Sequence, residues 1–130
     1  MSSLNEECLF CNKKKQNIIY SSKFVYVVRD SFPVTKYHSL IIPHRHISDF
    51  FDLNKDELKE LGEALKKERQ SLLSLDKEIT AFNIGVNAGK DAGQSVMHCH
   101  IHLIPRRKGD IENPRGGVRG VIPSKQKYVK

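Results

Sequence analysis

The chain has 130 residues, enough for one domain with its own hydrophobic core. With 38% hydrophobic and 28% charged residues and no apolar run near ~20 residues, the composition excludes a membrane-spanning helix and is typical of a globular protein. The net charge of +7 arises mainly in residues 106–130, which contain eight basic and two acidic residues. We expect a single domain over residues 1–130, with a core at 1–108 and a basic tail at 109–130.

The N-terminal residues 1–7 are polar and acidic, which predicts no secretory signal and a cytoplasmic location. The three cysteines are consistent with a cytoplasmic location, because an odd number does not suit the disulfide framework of a secreted domain. Cys8 and Cys11 form a Cys-x-x-Cys pair, whereas Cys99 stands alone. We expect Cys99 to pack in the core.

Three β-rich runs follow in the first third of the chain. Residues 18–20 and 24–28 are separated by a short polar stretch and predict a hairpin. Residues 29–33 interrupt the second run, and residues 39–42 predict a third strand that ends at Pro43.

One long helix is predicted to begin after Asn54. Asn54 is a suitable N-cap, and Glu57 stands at the capping-box position. We expect one buried face, marked by Leu58, Leu61, Leu65, Leu72 and Leu75. A fourth strand is predicted at 79–86, a glycine-containing loop at 87–93 and a fifth strand through the alternating histidines. These elements predict an α+β domain with a five-stranded antiparallel sheet.

The six histidines occupy only two segments, 38–46 and 98–102. His98, His100 and His102 alternate with apolar residues, which is the period of a strand and places the three imidazoles on one face. Alternate residues on a strand stand roughly 6.6 Å apart, so the three rings are poorly placed to bind one metal ion. We expect the two segments to meet in the fold and to form one site, which includes His38.

The stretch His98-Cys99-His100-Ile101-His102-Leu103-Ile104 matches the His-φ-His-φ-His-φ-φ signature of the histidine triad family, where φ is an apolar residue. Residues 41–46, 83–89, 92–96 and 112–123 also resemble blocks of that family, the last one resembling bacterial diadenosine-tetraphosphate-hydrolase-like members. One departure is Lys36-Tyr37 before His38, where the family often has glycine beside the histidine. The resemblance covers the chain from about Cys8 to Pro123.

The resemblance implies a five-stranded antiparallel sheet with one long helix and a short one, and pairing as a homodimer. It also implies hydrolysis or nucleotidyl transfer at the α-phosphorus of a purine nucleotide, either a dinucleoside polyphosphate such as diadenosine tetraphosphate or a nucleoside phosphoramidate. His100 would attack phosphorus and form a covalent nucleotidyl-histidine. No cofactor is required for this chemistry.

Further roles are carried over by position in the resembling blocks. His38 and His102 would orient the nucleophile and manage charge, and Ser95 would contact the phosphate or the leaving group. Three residues would bind the nucleotide: Asp30 through the ribose, Asn87 through a phosphate oxygen, and Gln94.

Some relatives with an N-terminal Cys-x-x-Cys bind structural zinc. The corresponding ligands here would be Cys8, Cys11, His46 and His98, a closed tetrahedral set. This role would remove His98 from acid–base work.

Two other functions remain open from the sequence. One is a zinc-supported nucleotide-binding or signalling module with vestigial catalysis. The other is a metal hydrolase with His98, His100 and His102 as ligands, which the scarcity of nearby carboxylates disfavours. We expect no membrane partner, because the chain has no long apolar run. We also expect no nucleic-acid partner, because Tyr128 is the only aromatic residue in the basic tail. Arg115 or Arg119 of the tail could instead reach a polyphosphate in the partner's active site.

Overall fold

The computed structural model describes residues 7–128. Its strands are β1 (Ile18–Ser21), β2 (Val25–Arg29), β3 (Ser39–Pro43), β4 (Ile79–Val86) and β5 (Ile101–Arg107), and its long helix is α1 (Lys55–Leu75). The strands form one antiparallel sheet in the order β1-β2-β3-β5-β4. The α+β fold predicted from the sequence is therefore confirmed. Residues 1–6 and 129–130, which include most of the polar N-terminus and the end of the basic tail, lie outside the described residues.

Both faces of the central strands are buried. Val25 and Val27 of β2 belong to the core under α1, whereas Tyr26 and Val28 pack on the opposite face with Phe10. The alternation follows from the two-residue period of a strand. The N-terminal segment thus covers the face that α1 leaves open.

The start of α1 is fixed by a capping box. The Asn54 side chain accepts a hydrogen bond from Glu57 N at 2.8 Å, and the Glu57 side chain accepts one from Asn54 N at 2.9 Å. The short helix expected beside α1 takes the form of a 3-10 turn, Phe50–Asp52. Within residues 7–128, no helix has the length and apolar character needed to cross a membrane.

The predicted buried face of α1 is wrong in part. Leu58 and Leu75 are 45% and 55% exposed, and the positions that face the sheet are Glu57, Leu61, Ala64, Glu68 and Leu72. The two buried glutamates are tolerated because arginines from other elements pair with them: Arg45 with Glu57 and Arg29 with Glu68.

The fifth strand begins later than the histidine alternation predicts. Strand β5 starts at Ile101, so only His102 of the three histidines lies on it. The preceding residues are held by contacts outside the strand ladder: Cys99 N donates to Ile47 O at 2.7 Å, and the His98 ring donates to Pro43 O at 2.8 Å. The alternation itself persists, because Cys99, Ile101 and Leu103 all point into the core under α1.

Candidate functional site

The two histidine segments meet where β3 and β5 pair, as the sequence predicts. His102 lies opposite Leu40 in this ladder, and His38 immediately precedes β3. The His38 Nε2 and His102 Nδ1 atoms are 2.9 Å apart. His100 stands beside them, with its ring centroid 5.2 Å from that of His102.

A chain of hydrogen bonds sets the tautomers of His38 and His102. Val34 N–H donates to His38 Nδ1 at 3.0 Å, so a neutral His38 carries its proton on Nε2. That Nε2–H donates to His102 Nδ1, and His102 in turn carries its proton on Nε2. The ring nitrogen of His102 that remains for a ligand is therefore an N–H donor.

Burial keeps these two histidines neutral. It lowers the pKa of His38, although the carboxylate of Asp30, 3.5 Å from Nε2, opposes the effect. Burial and the neighbouring His100 and His38 lower the pKa of His102 to about 4. Both side chains are therefore uncharged at neutral pH.

The outward nitrogen of His100 is an unprotonated acceptor, whereas that of His102 is an N–H donor. Its Nδ1 lies 2.8 Å from the carbonyl oxygen of His98, which can only accept, so Nδ1 carries the proton. Nε2 then keeps an unprotonated lone pair. The Phe10 ring packs on the imidazole at a centroid distance of 5.0 Å and restricts its rotation. This arrangement can provide a neutral nucleophile.

A second cluster joins Cys8, Cys11, His46 and His98, whose possible ligand atoms all lie within 4.8 Å of one another. Cys8 Sγ is 3.3 Å and His46 Nδ1 is 3.2 Å from His98 Nδ1, and Cys11 Sγ is 3.2 Å from His46 Nδ1. These separations approach the edges of roughly 3.3–3.6 Å expected in a tetrahedral zinc site.

The hydrogen bonding of His98 also suits a metal ligand. Its Nε2–H donates to Pro43 O at 2.8 Å, which leaves Nδ1 unprotonated and directed at the two sulfurs. Burial lowers the pKa of His98 to about 4, so the ring is neutral and available. The four residues thus fit a closed metal site.

Asp30, His38 and His102 form another group whose ligand atoms lie within 4.8 Å. This group fits a metal poorly, because a ligating His38 Nε2 would place a proton on Nδ1, directly against Val34 N–H. The three-histidine metal site also finds no support, since His98 turns to the cysteines and His102 to His38.

The predicted nucleotide-binding residues occupy different environments. Asn87 lines a groove beside His102, and Asp30 lies next to His38 while its Oδ1 accepts from Phe32 N at 2.9 Å. Ser95 is exposed. Gln94 is buried, and its amide N–H groups donate to Ser48 O and Val96 O. The binding roles of all four residues stay predictions, and Gln94 braces the loop.

Cys99 is a buried core residue, as the sequence predicts. It is 1% exposed, and burial raises the pKa of its thiol to about 12. This environment makes the thiol unreactive.

Sequence reasoning missed the groove, which the basic tail forms together with β4 and β5 of the same chain. Its volume is about 640 Å³, and its walls include Val34, Ile104 and Val118. Gly117 has a positive φ of 41°, and a Cβ there would crowd Asn83 Nδ2 at 3.2 Å. The glycines of the tail were the available signal. Arg115 and Arg119 lie outside the groove lining, over the Tyr128 ring at 5.1 and 4.8 Å.

The chain is similar to known proteins over most of its length. The model of the HIT domain family matches residues 12–109. An uncharacterised HIT-like protein of Saccharolobus solfataricus is 34% identical over 104 residues, which cover 75% of this chain and 73% of the relative. An asymmetrical bis(5'-nucleosyl)-tetraphosphatase of Schizosaccharomyces pombe is 36% identical over 72% of this chain but only 51% of that enzyme.

Solved structures show the same fold. A zinc-bound histidine triad family protein from Mycobacterium smegmatis superposes with a TM-score of 0.72 at 29% identity, over 79% of this chain and 77% of that one.

Proposed function

The chain belongs to the histidine triad (HIT) family, and from this premise we propose that it is a hydrolase or nucleotidyl transferase acting at the α-phosphorus of purine nucleotides. The observation that carries the proposal is the hydrogen bond from His100 Nδ1–H to His98 O, because it leaves Nε2 as a nucleophile without any deprotonation. The tetraphosphatase relative from Schizosaccharomyces pombe supports the substrate class.

The proposed reaction has two half-steps. His100 Nε2 attacks the α-phosphorus and forms a P–N bond while the bond to the leaving group breaks. The His102 Nε2–H group donates a hydrogen bond to the reacting phosphoryl group, and the departing atom takes its proton from water. Water then attacks phosphorus and loses a proton to the solvent. The P–N bond to His100 breaks, which releases the nucleoside monophosphate and restores the Nε2 lone pair. His38 holds His102 in the required tautomer through the 2.9 Å contact.

The nucleotide is proposed to lie between the N-terminal segment and the tail. Asp30 would bind the ribose, Asn87 a phosphate oxygen, and Ser95 the phosphate or the leaving group. Gln94 would contribute by holding the loop that carries Asn87 and Ser95, since its amide is bonded to Gly89, Ser48 and Val96. The location of Asp30 and Asn87 beside the histidines supports their roles.

We also propose that Cys8, Cys11, His46 and His98 bind zinc. The ion would be structural, since protein atoms fill all four positions and none is left for water. Homodimer formation and a cytoplasmic location stay predictions. Strand β4 pairs only with β5 among the described residues, which leaves an edge for a second copy.

The test compares wild type with His100→Asn on adenosine 5'-phosphoramidate and on diadenosine tetraphosphate. We expect the wild type to release AMP and to show a transient AMP adduct by intact mass. His100→Asn should lose at least about a thousandfold in kcat/KM and the adduct. His44→Asn is the matched control, because His44 contacts Ser21 and Ser22 away from the site.

Turnover that survives in His100→Asn would refute the nucleophile. If nucleotide binds to the wild type but neither substrate is cleaved, the nucleotide-binding module with vestigial catalysis replaces the enzyme.

A further inference from the structure

Cys8 and Cys11 are close enough to react with each other and accessible to small molecules. Both side chains are partly exposed, and their sulfurs lie within 4.8 Å of each other in the cluster with His46 and His98. Cys99 is buried in the core under α1, whereas Cys8 packs on the opposite face of the sheet. A disulfide within the chain can therefore join Cys8 to Cys11, and Cys99 cannot take part in it.

The four residues of this cluster can adopt two mutually exclusive chemical states. A metal ion bound there would hold both sulfurs as thiolates, and a thiolate is the form of cysteine that oxidants attack. The histidines already face the sulfurs, with His98 Nδ1 3.3 Å from Cys8 Sγ and His46 Nδ1 3.2 Å from Cys11 Sγ. A disulfide between the cysteines would leave neither sulfur as a thiolate ligand. The cluster therefore holds either a metal ion or a disulfide.

Two contacts connect the cluster to His100. Phe10, which lies between the two cysteines in sequence, packs against the His100 ring at a centroid distance of 5.0 Å and against the His98 ring at 6.0 Å. His98 also sets the His100 tautomer, because its carbonyl oxygen accepts the hydrogen bond from Nδ1–H at 2.8 Å. Movement of the two sulfurs toward each other would shift Phe10 and leave the His98 ring with only its hydrogen bond to Pro43 O. Oxidation of the cysteines thus reaches the proposed nucleophile.

We propose that Cys8 and Cys11 are an oxidation site for hydrogen peroxide and that a disulfide between them reversibly switches off His100. One thiolate attacks a peroxide oxygen and becomes a sulfenic acid as hydroxide leaves. The second thiolate attacks that sulfur, forms the S–S bond and releases a second hydroxide, so each sulfur gives up one electron and the peroxide accepts both. The effect on turnover rests on the proposed function, whereas the disulfide and its effect on the His100 ring do not.

The first part of the test treats the zinc-reconstituted full chain with hydrogen peroxide. We expect an intact mass that is two hydrogens below that of the reduced protein, a Cys8–Cys11 cross-link in the peptide map, and about one zinc released per disulfide to a chromogenic chelator. Dithiothreitol with added zinc should reverse all three changes. This reversal separates the disulfide from methionine oxidation, which needs a dedicated reductase. Cys99→Ala is the matched control and should give the same cross-link.

The second part measures His100 itself. Nitrogen-15 NMR of the imidazole rings should show the Nδ1–H tautomer of His100 in the reduced protein and the loss of this fixed tautomer after oxidation. The kcat/KM for AMP release from adenosine 5'-phosphoramidate should fall at least about tenfold and return on reduction, since a misplacement of about 1 Å can cost a hundredfold. The far-UV circular dichroism should stay native, which separates a local change from unfolding. Cys99→Ala should respond as the wild type does.

A Cys8–Cys11 disulfide that leaves the His100 tautomer and the rate unchanged would overturn the switch and leave the proposed function standing. The absence of a cross-link, a cross-link that includes Cys99, or loss of the native circular dichroism spectrum would also overturn it. If the reduced protein releases AMP from neither the phosphoramidate nor diadenosine tetraphosphate, the proposed function fails. The mass, zinc and NMR measurements then still decide whether the cysteines control the His100 ring.

Discussion

Tyr37 is the one residue other than glycine with a positive φ, 74°, between residues 7 and 128. This left-handed conformation costs such a residue about 1–2 kcal/mol, and it forms the turn that presents His38. Glycine and alanine replacements both remove the ring, so their difference isolates the backbone cost. We expect Tyr37→Gly to have a free energy of unfolding about 1 kcal/mol higher than Tyr37→Ala in urea titrations.

Lys36 provides the control, because it is exposed and has no positive φ. There the order should reverse, with Lys36→Ala more stable than Lys36→Gly by about 0.5–1 kcal/mol. A Tyr37→Gly variant that is less stable than Tyr37→Ala would show that the turn stores no strain. The position was visible in the sequence as a departure from the family's glycine, but the backbone angle was not.

The N-terminal segment with Cys8 and Cys11 lies outside the sheet and the long helix, so the proposed zinc is expected to anchor it to His46 and His98. We expect the purified protein to contain about one zinc per chain. Cys11→Ser should lose zinc and lower the Tm, whereas the control Cys99→Ala should keep it. Metal analysis and thermal unfolding measure both. Protein that binds no zinc from a zinc-replete medium would contradict the assignment.

Elements set by local signals were predictable from the sequence. The capping box fixes the start of α1 within its own first turn, and β4 follows from a β-rich run bounded by turn residues. The buried face of α1 was not predictable in full. Glu57 and Glu68 face the sheet only because Arg45 and Arg29, distant in sequence, neutralise them.

The candidate site also has parts that a local sequence pattern predicts and parts that it does not. The histidine alternation places His100 and His102 correctly because it is a local period. The metal cluster came from the family resemblance. The groove depends on a contact between the tail and β4, and no local pattern in residues 109–128 indicates which surface that segment covers.

For the whole molecule, buried histidines make stability depend on pH. Burial lowers the pKa of His38, and lowers those of His98 and His102 to about 4, below the ordinary value of 6.5. Between about pH 4 and 6.5 the unfolded chain therefore binds more protons than the folded one. The contribution of these neutral histidines to the free energy of unfolding is fully present above pH 6.5, and it decreases as the pH falls toward 4.

His102 allows the effect of a single histidine to be measured. His98 is less suitable, because protons would also compete there with the proposed zinc ion. We expect the wild type to lose about 1–2 kcal/mol more unfolding free energy than His102→Gln between pH 7.5 and 5.0. Urea titrations at the two pH values measure the difference. Lys59→Gln, a variant at an exposed position of the helix, should behave as the wild type. Equal losses in wild type and His102→Gln would mean that His102 is protonated as readily in the folded protein as in the unfolded chain.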